Sequence, residues 1–482
     1  MQPVRIRKPA RKAWAAAGGV FLLLVAAAAV WLLFPRGTPA GNPASGPREE
    51  SVKLIDRDAA TLLRMEVTAS DGSAFALVRQ GDSFVVEGDP GFPLEEREVS
   101  LMVKDLTLLT AHEEAGEVTP GHDLSPLGIT ENSPRVRAGY ADGESVTLIF
   151  GDDAHSDIPA DYLMLEGDSK VYLVSKETRD HFDRSLATLH PVPGIRFTPD
   201  LLDRMVVAGD GAFTLARRGV LWEITSPVRY PADAGKVSSL LRSVGNMRLA
   251  VWAGNAEPGS LAGFGLSPDR RTVTFHLGAS YITGYDADGN ALESEPVAAQ
   301  EITLTVGDDI GSIGFFALYD GGVYQVSVAS MGFLRDTRME SLLARAPVAI
   351  PVAMLDKVTV REGDAVREYR VELVESVLPN NDLRTDDAGN VLFDAVITRN
   401  GTEDVSEEFL AEYLELMRLS AAGSLPAGYV PSKEAMHEIH LTGPDVALSL
   451  AFAEYDALHY AMGVNGHYLF YVDRAAADGI AL

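Results

Sequence analysis

The chain has 482 residues, 46% of them hydrophobic, which allows roughly two to four domains with real cores and excludes wholesale disorder. Cysteine is absent, so disulfides, thiolate zinc sites, iron–sulfur clusters and a cysteine nucleophile are excluded together. All 69 acidic residues lie at or after Glu49, against 34 basic ones in the same stretch, and this balance of −35 repels phosphate backbones and disfavours nucleic acid as a partner.

The N-terminus opens with a basic segment, residues 1–12, carrying Arg5, Arg7, Lys8, Arg11 and Lys12. An uncharged apolar run follows from Ala13 to Phe34. As a helix it would be about 33 Å long, enough to cross a hydrocarbon core of about 30 Å. Trp14 and Trp31 stand near its ends, where indoles favour the membrane interface. The run therefore predicts a transmembrane anchor at 13–34, with the basic end cytoplasmic and the rest of the chain outside the inner membrane. A cleaved secretory signal is the competing reading, but such signals usually have a core of only about 7–15 apolar residues. Residues 35–50, rich in Pro, Gly and Ala, read as a flexible linker.

Beyond the linker the chain resembles itself. "LLRMEV" at Leu62–Val67 returns as "LDRMVV" at Leu202–Val207 and more loosely as "LDKVTV" at Leu355–Val360. Short alternating strands separated by Gly/Asp turns follow each opening, as antiparallel hairpins require. Next comes a helical face: Val99, Met102, Val103, Leu106, Leu109 in the first stretch, and Val237, Leu240, Leu241, Val244, Met247 in the second. Ser406, Phe409, Leu410, Tyr413 and Leu416 repeat the spacing in the third. Offsets of 0, 3, 4, 7 and 10 place these residues on one side of an α-helix.

After the helix, "LGITENSPRV" at Leu127–Val136 parallels "FGLSPDRRTV" at Phe264–Val273. "VTLIFGDD" at Val146–Asp153 parallels "ITLTVGDD" at Ile302–Asp309, and "KVYLVSK" at Lys170–Lys176 parallels "GVYQVSV" at Gly322–Val328 and "HYLFYVD" at His467–Asp473. The pattern predicts an α+β fold, with an N-terminal transmembrane helix followed by tandem repeats of antiparallel sheet plus packed helix. The units are expected at 51–195, 196–348 and 349–482, the last the most divergent.

Candidate sites are few. Gly-Asp-Asp ends an apparent strand twice and is absent from the third copy, which suits a turn better than a metal site, since calcium needs about six to eight oxygen ligands. "DADGNALE" at Asp286–Glu293 and "DDAGNVL" at Asp386–Leu392 read as hairpin tips, because the EF-hand glycine position is not met. His112, His122 and His155 have acidic neighbours; His437 and His440, three apart on a strand, would face opposite ways. No metalloprotease, nucleophile-elbow, phosphate-loop or dinucleotide motif occurs. No catalytic, metal or cofactor residue is therefore assigned, and Trp222 and Trp252 are expected in the core.

The order of these segments resembles the bacterial family known as domain of unknown function four-three-four-zero. Trp222, Ile224 and Pro227 match its Trp-x-hydrophobic-x-x-Pro pattern. Gly265, Leu266, Ser267 and Pro268 match its turn with the proline one place early; Gly307 closes a strand, and Val323 with Tyr324 forms the last one. The first unit departs, with Phe84 in the tryptophan position and Leu127, Gly128 and Ile129 at the turn. The resemblance implies a membrane-anchored extracytoplasmic protein, periplasmic where an outer membrane exists, often encoded beside gliding-type ABC transporter subunits. It thus implies a non-enzymatic accessory or scaffold role, with an ABC transporter permease or another envelope protein as partner. The alternatives are a ligand-binding module for glycan or peptidoglycan fragments, using Trp222 or Tyr281 and Tyr285, and, less favoured, a hydrolase.

Overall fold

A computed structural model describes residues 51–482 except 120, 157, 283–294, 379–381, 387–389 and 481. Strands dominate them: thirty strands stand against seven α-helices, the longest being Ser406–Arg418 at 13 residues. Every strand pair is antiparallel, and three large sheets of eight, nine and nine strands hold most of the chain. The α+β class expected from the sequence is therefore corrected to a mostly antiparallel β architecture. A helix stands where each face was expected, but Leu109 falls on the strand Leu108–Ala111 and Met247 lies past the end of Ala234–Gly245, and the helices are few and short beside eight or nine strands per sheet. The transmembrane helix expected at 13–34 lies outside the described residues, as does the linker 35–50. No described helix is long and apolar enough to cross a membrane.

In the first large sheet the order is Ser83–Val86, Ala74–Gln80, Leu62–Thr68, Arg135–Tyr140, Ser145–Ala154, Ala160–Leu165, Lys170–Ser175 and Glu113–Glu117. The opening strand Leu62–Thr68 thus sits inside the sheet. The chain runs outward from it in hairpins, crosses through the helix Glu96–Thr107, and builds four more strands on the other side. A short strand formed just after the helix closes the far edge. The second sheet follows the same path from Leu202–Ala208 to Gly322–Ser327, with Val251–Asn255 at the far edge. The third follows it from Lys357–Glu362 to His467–Asp473, with Gly423–Ser424 at the edge.

Period-two alternation decides which face is buried. Met65 and Val67 point inward with Val136 and Ala138 of the neighbouring strand, all nearly inaccessible. Against this face lie Val99, Met102 and Leu106 of the helix. Val237, Leu240 and Val244 do the same in the second sheet, and Phe409, Tyr413 and Leu416 in the third. The first sheet has its own main apolar cluster and a small second one at Ala154, Ala160 and Leu173, while a single continuous cluster runs through the second and third.

The Gly-Asp-Asp segments do not turn. Their strands continue to Ala154 and Ile310, with the register shifting between Phe150 and Asp153 and between Val306 and Asp309. Each is a bulge, in which two residues on one strand face one on its partner. Its glycine is required by crowding: a Cβ on Gly307 would lie 2.5 Å from the Phe264 carbonyl oxygen and 3.0 Å from the Phe316 Cβ. Gly151 is packed in the same way against Leu127 and Tyr162.

Candidate functional site

An apolar cleft of about 320 Å³ lies between the second and third sheets. Four pieces of chain form it. The strand Leu221–Ser226 supplies Leu221, Trp222 and Glu223, and the N-terminal end of the helix Ala234–Gly245 supplies Asp233 and Ala234. The connection between the sheets gives Pro347 and Ile350. Two hairpin tips of the third sheet, at Asp445–Val446 and Asn465, reach over from the other side.

Those tips clasp the second sheet at two places. Asn465 adopts a positive φ of 49°, which an asparagine tolerates, and its Nδ2 donates to the Arg229 carbonyl at 3.2 Å. Its Oδ1 accepts from the Ser449 backbone N–H at 3.0 Å, so the turn is fixed at both ends. The Asp445 carboxylate lies against Gly219, where any Cβ would collide with it. Tyr230 and Phe470 meet edge to face behind the cleft, their centroids 5.8 Å apart. Burial pushes the Tyr230 hydroxyl well above the usual tyrosine range.

Most charges in the cleft are already engaged. Glu223 is shared by Arg218 at 3.2 Å and Arg229 at 3.1 Å. Asp233 caps its helix, accepting from the Lys236 N–H at 3.0 Å, and the Lys236 ammonium reaches the Leu343 carbonyl at 3.4 Å. Asp445 has no side-chain partner among the described residues. The result is an apolar slot with a tryptophan ring on one wall and one free carboxylate at its mouth.

Trp222, expected in the core, is half-buried on that wall. Trp252, also expected in the core, is likewise half-buried and lies at a junction: its ring stacks on His190 at 4.3 Å and meets Phe92 at 5.5 Å. The Tyr281 side chain and Tyr285 lie outside the described residues, as do Asp286–Glu293 and the middle of Asp386–Leu392. His112, His122 and His155 are exposed and are not gathered into one site. His437 and His440 occupy the strand His437–Gly443, with single acidic neighbours Glu362 and Glu438. Asp445 and Asn465 escaped sequence reasoning because they stand more than 200 residues from Trp222 and carry only turn signals.

No curated protein and no solved structure gives a significant match to the chain. A family model matches residues 85–212 and 222–381, more than half of the chain and most of the first two sheets. The chain belongs to the family described as "Domain of unknown function (DUF4340)".

Proposed function

We propose that the chain is a membrane-attached extracytoplasmic accessory or scaffold protein of an envelope complex of the ABC-transporter type, without catalytic activity of its own. Residues 13–34 hold it in the inner membrane with its N-terminus in the cytoplasm. Three tandem units, 51–195, 196–348 and 349–482, stand outside. The observation that supports this reading best is the recurrence of one strand order in three successive sheets. Repetition of a module extends contact area along the chain, which serves assembly rather than chemistry at one point. Val374, Val377 and Leu378, exposed at and just beyond the end of the strand Ala365–Glu375, add apolar surface to the third unit. Full-length chain purified from gently solubilised membranes is expected to carry a transporter permease or ATPase subunit with it. Recovery with neither, under conditions that keep known membrane complexes intact, would overturn the scaffold reading.

A second reading, an extracytoplasmic ligand-binding module, is favoured by the cleft at Trp222. Its volume falls at the lower end of the roughly 300–1,000 Å³ usual for small-molecule sites, and its walls are mainly apolar.

A further inference from the structure

We infer that the cleft between the second and third sheets binds an amphipathic cation: an ammonium or guanidinium group carried on an aliphatic or aromatic body. The inference rests on the ligand-binding reading and gives it a chemical class. Three observations converge on it.

The first is the shape of the space. Leu221, Val446, Leu448 and Ile350 furnish aliphatic walls, and the clasp at Asn465 and Asp445 closes it from the third sheet. An apolar body entering here leaves water on several sides at once, at roughly 25 cal/mol per Å² of buried apolar surface. The second is Trp222, whose ring lines the slot and is only half-buried by the protein itself. An indole face attracts a cation within about 6 Å of its centroid, more strongly once water is displaced.

The third is charge. Arg218, Glu223 and Asp233 have partners, as does Lys236 behind them, whereas the Asp445 carboxylate has none among the described residues. An anion brought into the slot would face Asp445 unpaired, while a cation would pair with it. The acidic surplus over the chain beyond the N-terminal basic segment favours the approach of cations and disfavours that of anions. A bare sugar would find one aromatic platform but few free polar groups, since Glu223, Asp233 and Asn465 are already engaged.

Calorimetric titration of the full-length chain in lipid nanodiscs tests the inference with three phenyl-bearing probes of similar size: phenethylamine, 2-phenylethanol and phenylacetate. N-acetylglucosamine serves as the saccharide probe. Phenethylamine is expected to bind about ten-fold or more tighter than the alcohol or the acid, the worth of one charge-assisted contact. Asp445→Asn should remove most of the amine's advantage over the alcohol, leaving only what the Trp222 face supplies, Asp445→Glu should keep the preference, and Trp222→Ala should weaken all three aromatic probes. Each variant's melting temperature is to be compared with that of the parent, and Asp445, exposed on a hairpin tip, can change without unfolding the chain. If the alcohol, the acid or the sugar binds as well as the amine, the site is a ligand site but not a cation site. An amine preference undiminished by Asp445→Asn also refutes the assignment. If no probe binds at millimolar concentration, both the cation assignment and the ligand-binding reading fall.

Discussion

Asp161 is a carboxylate in an unfavourable place. It sits on the strand Ala160–Leu165, only 4% exposed, between Asp153 and Val174 on the flanking strands. Burial pushes its carboxyl above the usual range; Arg179 and Lys176 draw it back, while Asp153 and Asp180 oppose them. Both bases are committed elsewhere: Lys176 pairs with Asp153 at 2.5 Å, and Arg179 donates to the Gly151 carbonyl at 2.9 Å. The sign follows from which state holds the proton. Just above the ordinary aspartate range the folded chain keeps a proton that the unfolded chain has released, so stability is full below that window and falls as pH rises through it. Replacing the acid by a neutral isostere removes the penalty. Asp161→Asn is therefore expected to be more stable than the parent near about pH 7, and to lose the falling slope on the acid side. Urea unfolding across the acid-to-neutral range checks both, and a variant weaker at neutral pH would mean that the ionised carboxylate has a favourable role.

At the scale of elements, the recurring Gly-Asp-Asp is one half of an interlock. Its other half is the short 3₁₀ turn before it, Ser125–Leu127 in the first sheet and Leu261–Phe264 in the second. Each turn ends on a glycine in the left-handed region, Gly128 at φ 70° and Gly265 at φ 67°. The space a Cβ would need there is filled by the first aspartate of the bulge, Asp152 or Asp308. Arg270 also pairs with Asp308 across the same joint. The third sheet has neither part: its strand Val446–Glu454 pairs on both sides without a register shift. Gly265→Ala is expected to cost more than the 1–2 kcal/mol or so of a left-handed alanine, because it also collides with Asp308. Adding Asp308→Gly should recover the collision share and leave the conformational share. Denaturant unfolding of the two single variants and the double one measures the coupling, and strict additivity would show that the contact carries no energy.

The sequence carried half of this joint. Collinearity of "LG…GDD" with "FG…GDD" marked the pairing of parts, and the apolar offsets located each helical face down to Leu106 and Val244. It did not reveal that the strand runs through the aspartates, because Gly-Asp-Asp satisfies the local preferences of a turn and of a bulge alike. What decides between them is the Leu127 or Phe264 carbonyl pressed on the glycine, a contact about 24 and 43 residues distant in the chain. The cleft was less legible still. Trp222 reads as an ordinary strand aromatic until two hairpin tips of another sheet are brought over it.

Across the whole molecule, the three like sheets are not joined alike. The first meets the second through a small aromatic stack of Phe92, His190 and Trp252, beside its own closed core. The second and third share one core, into which the connection contributes Leu342, Leu343, Val348, Ile350 and Val352. Polar contacts reinforce that connection: the Tyr413 hydroxyl donates to the Ile350 carbonyl at 2.8 Å, and the Ala421 N–H to the Arg345 carbonyl at 2.8 Å. A shared core couples unfolding, whereas an aromatic stack worth about 0.5–1.5 kcal/mol per pair does not. Calorimetry of the full chain should therefore show two transitions, one for the first sheet and one for the second and third together. Ile350→Ala removes a buried side chain from the shared core and should lower only the latter, by the equivalent of about 2–5 kcal/mol. Trp252→Ala should leave the two transitions separate and lower only the second, because its ring also packs on the shared core. A single transition that moves as one in both variants would mean that the aromatic junction couples all three sheets, and three transitions would mean that the common core does not act as a unit.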